Sequence, residues 1–453
     1  MYGDAMDRRT TEPVPKYLAI AAGFVDLIRF GDLPAGTRLP PQRRLAAERG
    51  VDLTTVTRAY DELKRMGLVE GRPGSGSFVR AAAPGGAAGF DLSMNVPPQP
   101  AGLGDRVAKG IADLLAAPGG AAGLTYQPAG GVPQDRAAGA GWLARRLGRL
   151  PPERVIVAAG VQSTLFALLD LLLRPGETLA CAALTYPGMK TIAAQRGFDL
   201  VGLAHDAEGL DPDAFADLCR AAPPKALYLV PTIGNPTTAT LPPPRRQAIA
   251  ATARRYGVAL IEDDAYGALP EAGPPPLAAL APEITWHLAT LSKCATPALR
   301  IAYVAAPDAR QASRLAAGLR AVSLMASPLT AALATRWIGD GTLDGLAAAI
   351  RAENRARQQL AREILGEASI AAQPDGNHLW LGLPAGRGRA GLVAAARESG
   401  LLVVASDAFD VSGSPPEAVR LSLGGVPDRA RLRQALTLLA GLLADPGAVP
   451  AIV

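Results

Sequence analysis

The sequence predicts a multidomain chain: an N-terminal winged helix-turn-helix, then a larger α/β domain with a mostly parallel sheet and a smaller C-terminal α+β part. Three observations carry that expectation. The chain is 453 residues long and 49% apolar, too long for one ordinary domain and able to bury a large core. Its first eighty residues hold short helical patterns closed by a glycine-punctuated turn. From Phe90 onward, short β-rich apolar runs alternate with helix-length segments, the pattern of a parallel sheet covered on both faces.

Composition removes several alternatives. With 19% charged residues and 49% apolar ones, the chain is neither disordered nor collagenous. The net charge is +5, and residues 1 to 80 carry 13 cations against 10 acids, a mild basic bias compatible with nucleic acid. Cys181, Cys219 and Cys294 have no paired spacing, and His205, His287 and His378 are scattered, so neither a disulfide framework nor a metal site is expected. A reducing cytoplasm fits this usage. The first sixteen residues carry charges where a signal peptide needs an apolar stretch, and Asp170 interrupts the apolar run Leu165 to Leu173, so no secretion signal or membrane span is expected.

Residues 15 to 80 read as one unit. An apolar-periodic stretch from Tyr17 to Phe30 ends at Gly31, and a two-helix pattern follows: Gln42 to Arg49, a turn at Gly50 and Val51, then a second helix through Arg65 capped by Asp52 or Thr54. Leu45, Ala46, Val51, Val56, Ala59, Tyr60 and Leu63 fall on the buried side. Arg43, Arg44, Thr54, Thr55, Thr57 and Arg58 are left on or near the surface at the amino end of the second helix, the end that enters a major groove. Two short strands around Arg72, Gly74 and Gly76 form a wing whose glycines allow close approach to a phosphate backbone. Residues 81–90, mostly small and uncharged, read as a linker with a reach of roughly 17 Å.

The second domain, residues 91–445, has a large part to about residue 340 and a small part over about 345–445. Strands are expected at 155–160, 178–184, 226–231, 258–263 and 286–292, and ligands bind at the carboxyl ends of such strands. Lysine occurs only at positions 16, 64, 109, 190, 225 and 293. A cofactor aldehyde needs a lysine shielded from water, and Lys293 fits best: it closes the apolar run WHLATLSK, with Thr290, Ser292 and Arg300 nearby as a cluster suited to a phosphate. Val161 and Gln162 open an apolar helix after Gly160, where backbone N–H groups and the helix dipole favour an anion. Asp263 ends a strand where a carboxylate can pair with a pyridine nitrogen; Asp264 sits beside it, and the D-x-x-Y spacing to Tyr266 selects Asp263. Asn235 and Tyr266 can reach a ring oxygen, and Tyr186 can stack on a ring.

The L-P-x-x-R-x-L-A run at 39–46, T-T-V-x-R-A-Y at 54–60 and G-S-G-x-F-V at 74–79 resemble a GntR-type winged helix-turn-helix, with Leu53 standing where many members carry arginine. Residues 90–445 resemble the fold type I aminotransferases, a PLP-dependent transferase fold. That resemblance implies pyridoxal 5′-phosphate as cofactor, with Lys293 as the Schiff-base lysine, Asp263 at the pyridine nitrogen, Asn235 and Tyr266 at the ring oxygen and Tyr186 stacking. It assigns the phosphate to Thr290, Ser292, Arg300, Val161 and Gln162, the partner subunit's phosphate to Tyr126, and a substrate carboxylate to Arg420. Ala302, Cys294, Ala182 and Leu184 depart from the usual pattern. The fusion is similar to the MocR family of transcriptional regulators, a similarity that includes DLSMNVPP at 91–98. It implies a homodimer that binds double-stranded operator DNA and senses an amino compound through Lys293. The rival expectation is a working aminotransferase with a dispensable reader, and a third is a DNA-binding protein with a dead pocket.

Overall fold

The computed structural model of the chain describes residues 16–17, 20–21, 23–24, 33, 36–65, 69–72, 76–79, 89–366 and 368–444. It divides into two compact units, with the boundary between Gly89 and Phe90. Of the expected linker, residues 81–88 lie outside the described residues, and Phe90 already belongs to a strand of the second unit.

In the first unit, helix Gln42–Arg49 is followed by helix Leu53–Arg65. Gly50, at φ 58°, takes the left-handed turn between them, and the Val51 N–H closes onto Ala46 O. Strands β1 (Val69–Arg72) and β2 (Gly76–Val79) pair antiparallel, with Val69 opposite Val79. Leu39, Leu45, Ala46, Val56, Ala59, Tyr60, Leu63, Val69 and Val79 are buried together, which bears out the helical periodicity. Fully burying such leucine and valine side chains contributes about 1.5–3 kcal/mol each. Residues 16–17, 20–21 and 23–24 are helical, and Phe24 meets Tyr60 edge-on at 5.9 Å. The rest of the expected Tyr17 to Phe30 helix, and Gly31, lie outside the described residues.

The second unit opens with β3 (Phe90–Asp91) and continues through β4 (Val155–Ala158), β5 (Thr178–Ala182), β6 (Asp199–Leu203), the hairpin β7 (His205–Asp206) and β8 (Gly209–Leu210), β9 (Ala226–Leu229), β10 (Ala259–Asp263), β11 (Thr285–Thr290) and β12 (Ala302–Ala305). Seven of these make one sheet in the order β4-β12-β11-β10-β9-β5-β6, with β12 antiparallel to both neighbours and the remaining pairs parallel. Strands β4, β9, β11 and β12 are buried at every residue, as a sheet covered on both faces requires. One core cluster holds Trp142, Leu333, Trp337 and Leu346; another holds Leu165, Leu168, Met189 and Leu315.

The smaller part is α+β: β13 (Ser369–Ala372), β14 (His378–Gly382), β16 (Val404–Ala405) and β17 (Ala418–Ser422) form an antiparallel sheet in the order β13-β14-β17-β16. β15 (Leu401–Leu402) pairs in parallel with β3, and Leu92 is buried in the same cluster as Leu379 and Leu421. The start of the second domain therefore packs with the small part, whereas the sequence placed it in the large one. Helices Thr342–Leu365 and Arg429–Ala444 cover this sheet.

Candidate functional site

β10 ends at Asp263 and β11 at Thr290, so the carboxyl ends of adjacent parallel strands deliver the expected residues to one place. Lys293 lies in the turn after β11 rather than on the strand. Burial first, then the positive charges of Arg420 and Arg300, bring its pKa down to about 8 against the pull of Asp263. Its Nζ donates to the backbone oxygen of Asn95 and lies 6.0 Å from the centre of the Tyr266 ring. Asn95 Nδ2 in turn donates to the Tyr266 hydroxyl at 2.7 Å. Asp263 is buried, and burial, with the neighbouring Asp264 charge, pushes its pKa up to about 6 against the hydrogen bond from Tyr228 and the charge of Lys293. The Tyr228 hydroxyl donates to Asp263 Oδ2 at 2.8 Å, and Oδ1 has no partner.

At the other end, Gly160 stands before helix Val161–Leu172 with φ 89°, and no side chain caps the first turn of that helix. The hydroxyls of Ser163 and Thr164 turn back to the carbonyls of residues 159 and 160, which leaves the N-terminal amides of Val161 and Gln162 to an outside acceptor. Arg300 packs on this point: a Cβ added at Gly160 would stand 2.7 Å from its Nη2. Thr290 Oγ1 lies 3.0 Å from Ser292 Oγ, 3.2 Å from Ile301 O and 3.2 Å from the Ser292 N–H, so this hydroxyl first fastens the turn that carries Lys293.

Arg420, 6% exposed on β17, donates through Nη1 to Asn235 Oδ1 at 3.2 Å and through Nη2 to Ser93 O. Its Nε has no partner, and its guanidinium lies 5.2 Å from the Phe409 ring centre. A buried polar atom left unpaired costs about 1–3 kcal/mol, so Asp263 Oδ1 and Arg420 Nε mark where outside partners belong. The Tyr186 hydroxyl donates to Gln162 Oε1 at 3.0 Å, which joins the expected stacking ring to the expected phosphate helix. Tyr126 is 83% exposed, a surface residue of the second unit. Sequence reasoning missed Tyr228, Asn95 and Ser93. A hydroxyl in an otherwise apolar central strand was a signal for Tyr228; the other two act through folding contacts that no spacing reveals.

Pyridoxal 5′-phosphate carries an aldehyde, a pyridine nitrogen, a ring oxygen and a phosphate, and the residues fit each of them. Lys293, the free oxygen of Asp263, Tyr266 with Asn235, and the Gly160 to Gln162 helix start with Arg300 are of the right chemistry. Among the described residues no group of three or more His, Cys, Asp or Glu is placed to hold a metal ion, and no helix is long and apolar enough to cross a membrane.

In the first unit, Arg43, Arg44, Thr54 and Arg58 are exposed and Thr55 is partly so. Three of the expected contact groups also have partners within the unit. Thr57 Oγ1 bonds Gln42 Oε1 and Leu53 O, both at 2.9 Å, and the Arg58 guanidinium sits 4.2 Å over the Tyr17 ring. Arg44 pairs with Glu48 at 2.7 Å on the surface. Arg72 ends β1; its side chain and the whole of Gly74 lie outside the described residues.

Residues 88–439 match the family model for aminotransferase class I and II, and residues 16–79 match the model for bacterial regulatory proteins of the gntR family. The chain is 29% identical over 441 residues to YdeF of Bacillus subtilis, described as an uncharacterized HTH-type transcriptional regulator, covering 95% of each chain. It is 30% identical over 413 residues to the vitamin B6 salvage pathway transcriptional repressor PtsJ of Salmonella typhimurium, covering 88% of this chain and 92% of that one. The α-aminoadipate aminotransferase LysN of Thermus thermophilus superposes with a TM-score of 0.72 at 25% identity, over 79% of this chain and 92% of that one. Pyridoxal 5′-phosphate is the cofactor of this fold and of this chain. The chain belongs to the class I and II aminotransferase family and, with a GntR-type helix-turn-helix in front of that domain, has the MocR-type architecture of HTH transcriptional regulators.

Proposed function

We propose that this protein is a transcriptional regulator of the cytoplasm that binds operator DNA as a homodimer and changes its DNA affinity when a small amino acid-like compound occupies the pyridoxal phosphate site. One observation carries the coupling: the two groups that would meet the compound, Lys293 and Arg420, both donate to the backbone of residues 93–95. Those residues begin three positions after the end of the expected linker. A carboxylate taken bidentately by Arg420 competes with Ser93 O for the same guanidinium, so occupancy loosens the first segment of the second unit. Such a device shifts DNA affinity only as far as the compound prefers one arrangement over the other.

When bound, pyridoxal phosphate supplies an electrophilic carbon for an amine and a ring that withdraws electrons. This chain's residues prepare that site. Lys293, with its pKa lowered to about 8, is about one-tenth neutral at pH 7, far more than an ordinary lysine; Asp263 offers its free oxygen to the ring nitrogen; and Arg420 selects an acid group. Tyr126, fully available on the surface, is free to serve a second copy of the chain. The retention of Lys293, Asp263 and Arg420 also favours a second reading, an aminotransferase first and a regulator second.

The test is fluorescence anisotropy of promoter DNA with the cofactor-loaded protein, against a panel of amino acids and amines, with keto-acid release followed in parallel. The regulator reading expects one compound to change DNA affinity by at least about fivefold without sustained turnover. Sustained turnover with unchanged DNA affinity throughout the panel sinks it in favour of the enzyme.

A further inference from the structure

A second cavity, of about 710 Å³, opens on the residues that follow β10 and lies within the size range of small-molecule sites. Trp142, Leu343, Ala347 and the proline run 274–276 give it apolar walls. Its polar lining centres on Asp264 and Arg146. Although Asp264 follows Asp263 in sequence, its neighbours differ: its side chain is 2% exposed, and Oδ2 lies 3.1 Å from Arg146 Nε and 3.7 Å from His287 Nε2.

The surrounding charges are compensated. Glu262 accepts from the Leu277 and Ala278 N–H groups and lies 2.8 Å from His287 Nδ1. Arg145 pairs with Asp344, and Arg351 with Glu271. Three buried atoms remain without a hydrogen-bond partner: Asp264 Oδ1, Arg146 Nε and Arg146 Nη2. Arg146 Nε is close enough to Asp264 for an ion pair but is not aligned as a hydrogen bond, and Nη1 alone donates, to Gly267 O at 2.9 Å. In the cofactor site, unpaired Asp263 Oδ1 and Arg420 Nε await outside partners; the same pattern recurs here around an acceptor and a donor pair.

A guest must give a proton donor to Asp264 and an acceptor to Arg146. It must also be neutral, because an added charge would be buried beside an already balanced pair, and it must present an apolar body to the walls. A primary carboxamide on an aromatic or aliphatic stem has all of these properties. We propose that this cavity is a second small-molecule site, taking a neutral ligand with a carboxamide head and an apolar body. The proposal stands independently of the regulator reading, because none of the residues that line this cavity is among those expected to contact the cofactor.

Benzamide is the probe, with binding to the cofactor-loaded full chain read by ligand-observed saturation-transfer NMR. Ala348→Trp, at an exposed position lining the cavity, blocks it without touching the core, and Asp264→Ala removes the acceptor. The expected result is a dissociation constant of about 1 mM, typical of so small a ligand, weakened at least about tenfold by Ala348→Trp and about fivefold by Asp264→Ala. Absence of binding at about 10 mM benzamide overturns the proposal. So does equal binding to wild type and Ala348→Trp, or a crystal grown with benzamide in which the cavity holds water alone.

Discussion

On helix Leu53–Arg65, Thr54 and Arg58 face solvent, whereas in the second unit Asp263, Tyr266 and Arg420 are buried, and Asp263 and Arg420 leave individual atoms unpaired. The groups at the two places also behave differently. Burial lifts Asp263 to about 6 and lowers Lys293 to about 8, and each shift is adjusted by charges packed within the same site. Exposed arginines act through the long-range, salt-screened field that a polyanion feels, whereas the desolvated cluster acts at contact distance on a ligand that matches its free atoms. A regulator of the proposed kind, which searches DNA and discriminates among small amines, needs both kinds of surface.

The largest expected effect removes one side of that contrast. Lys293→Ala abolishes the visible absorption band of the cofactor-loaded protein and, with it, the response of DNA affinity to added amine; a retained band contradicts the lysine's role. Salt then separates the two surfaces. Raising ionic strength from about 50 to about 200 mM lowers operator affinity about a thousandfold if six phosphates are contacted, while cofactor affinity changes by less than about threefold. Equal salt sensitivity of the two would erase the distinction. A smaller effect is expected from Arg43→Ala combined with Arg58→Ala, which weakens operator binding at least about tenfold and leaves the absorption band unchanged. Unaltered DNA affinity in that double variant removes the reader assignment.

The pH dependence sharpens the buried side. Only the neutral lysine amine attacks an aldehyde, and lowering its pKa enlarges the neutral fraction at any given pH. The rate of band formation should therefore rise with pH through a midpoint near 8. A midpoint at the ordinary lysine value, above about 10, would show that Lys293 is not desolvated as described.

Much of this architecture was legible because its periodicities are long. Leu45, Val56, Ala59, Tyr60 and Leu63 recur at helical spacing and form one core, and the apolar runs at 258–263 and 286–292 became the central strands Ala259–Asp263 and Thr285–Thr290. The residues that tie the cofactor site together were harder to see. Asn95 meets Tyr266 across 171 positions and Ser93 meets Arg420 across 327, separations that carry no local pattern. The two-residue pair of β3 with β15 is too short for any period to show, so Phe90 and Asp91 were assigned to the linker's end and the large part instead of the small one. The strand expected at 286–292 ends two residues early because its apolar run continues past Thr290, where the Ser292 N–H donates to the Thr290 hydroxyl and the chain turns.

Coupling between the two units is the central claim, and linkage makes it measurable from the ligand's side. The affinity of the most effective amino compound, read from the visible band of the cofactor-loaded protein, should be determined with and without saturating operator DNA. The account predicts that DNA changes that affinity by the same factor by which the compound changes DNA affinity, at least about fivefold. An amino-compound affinity identical in the presence and absence of DNA would contradict it.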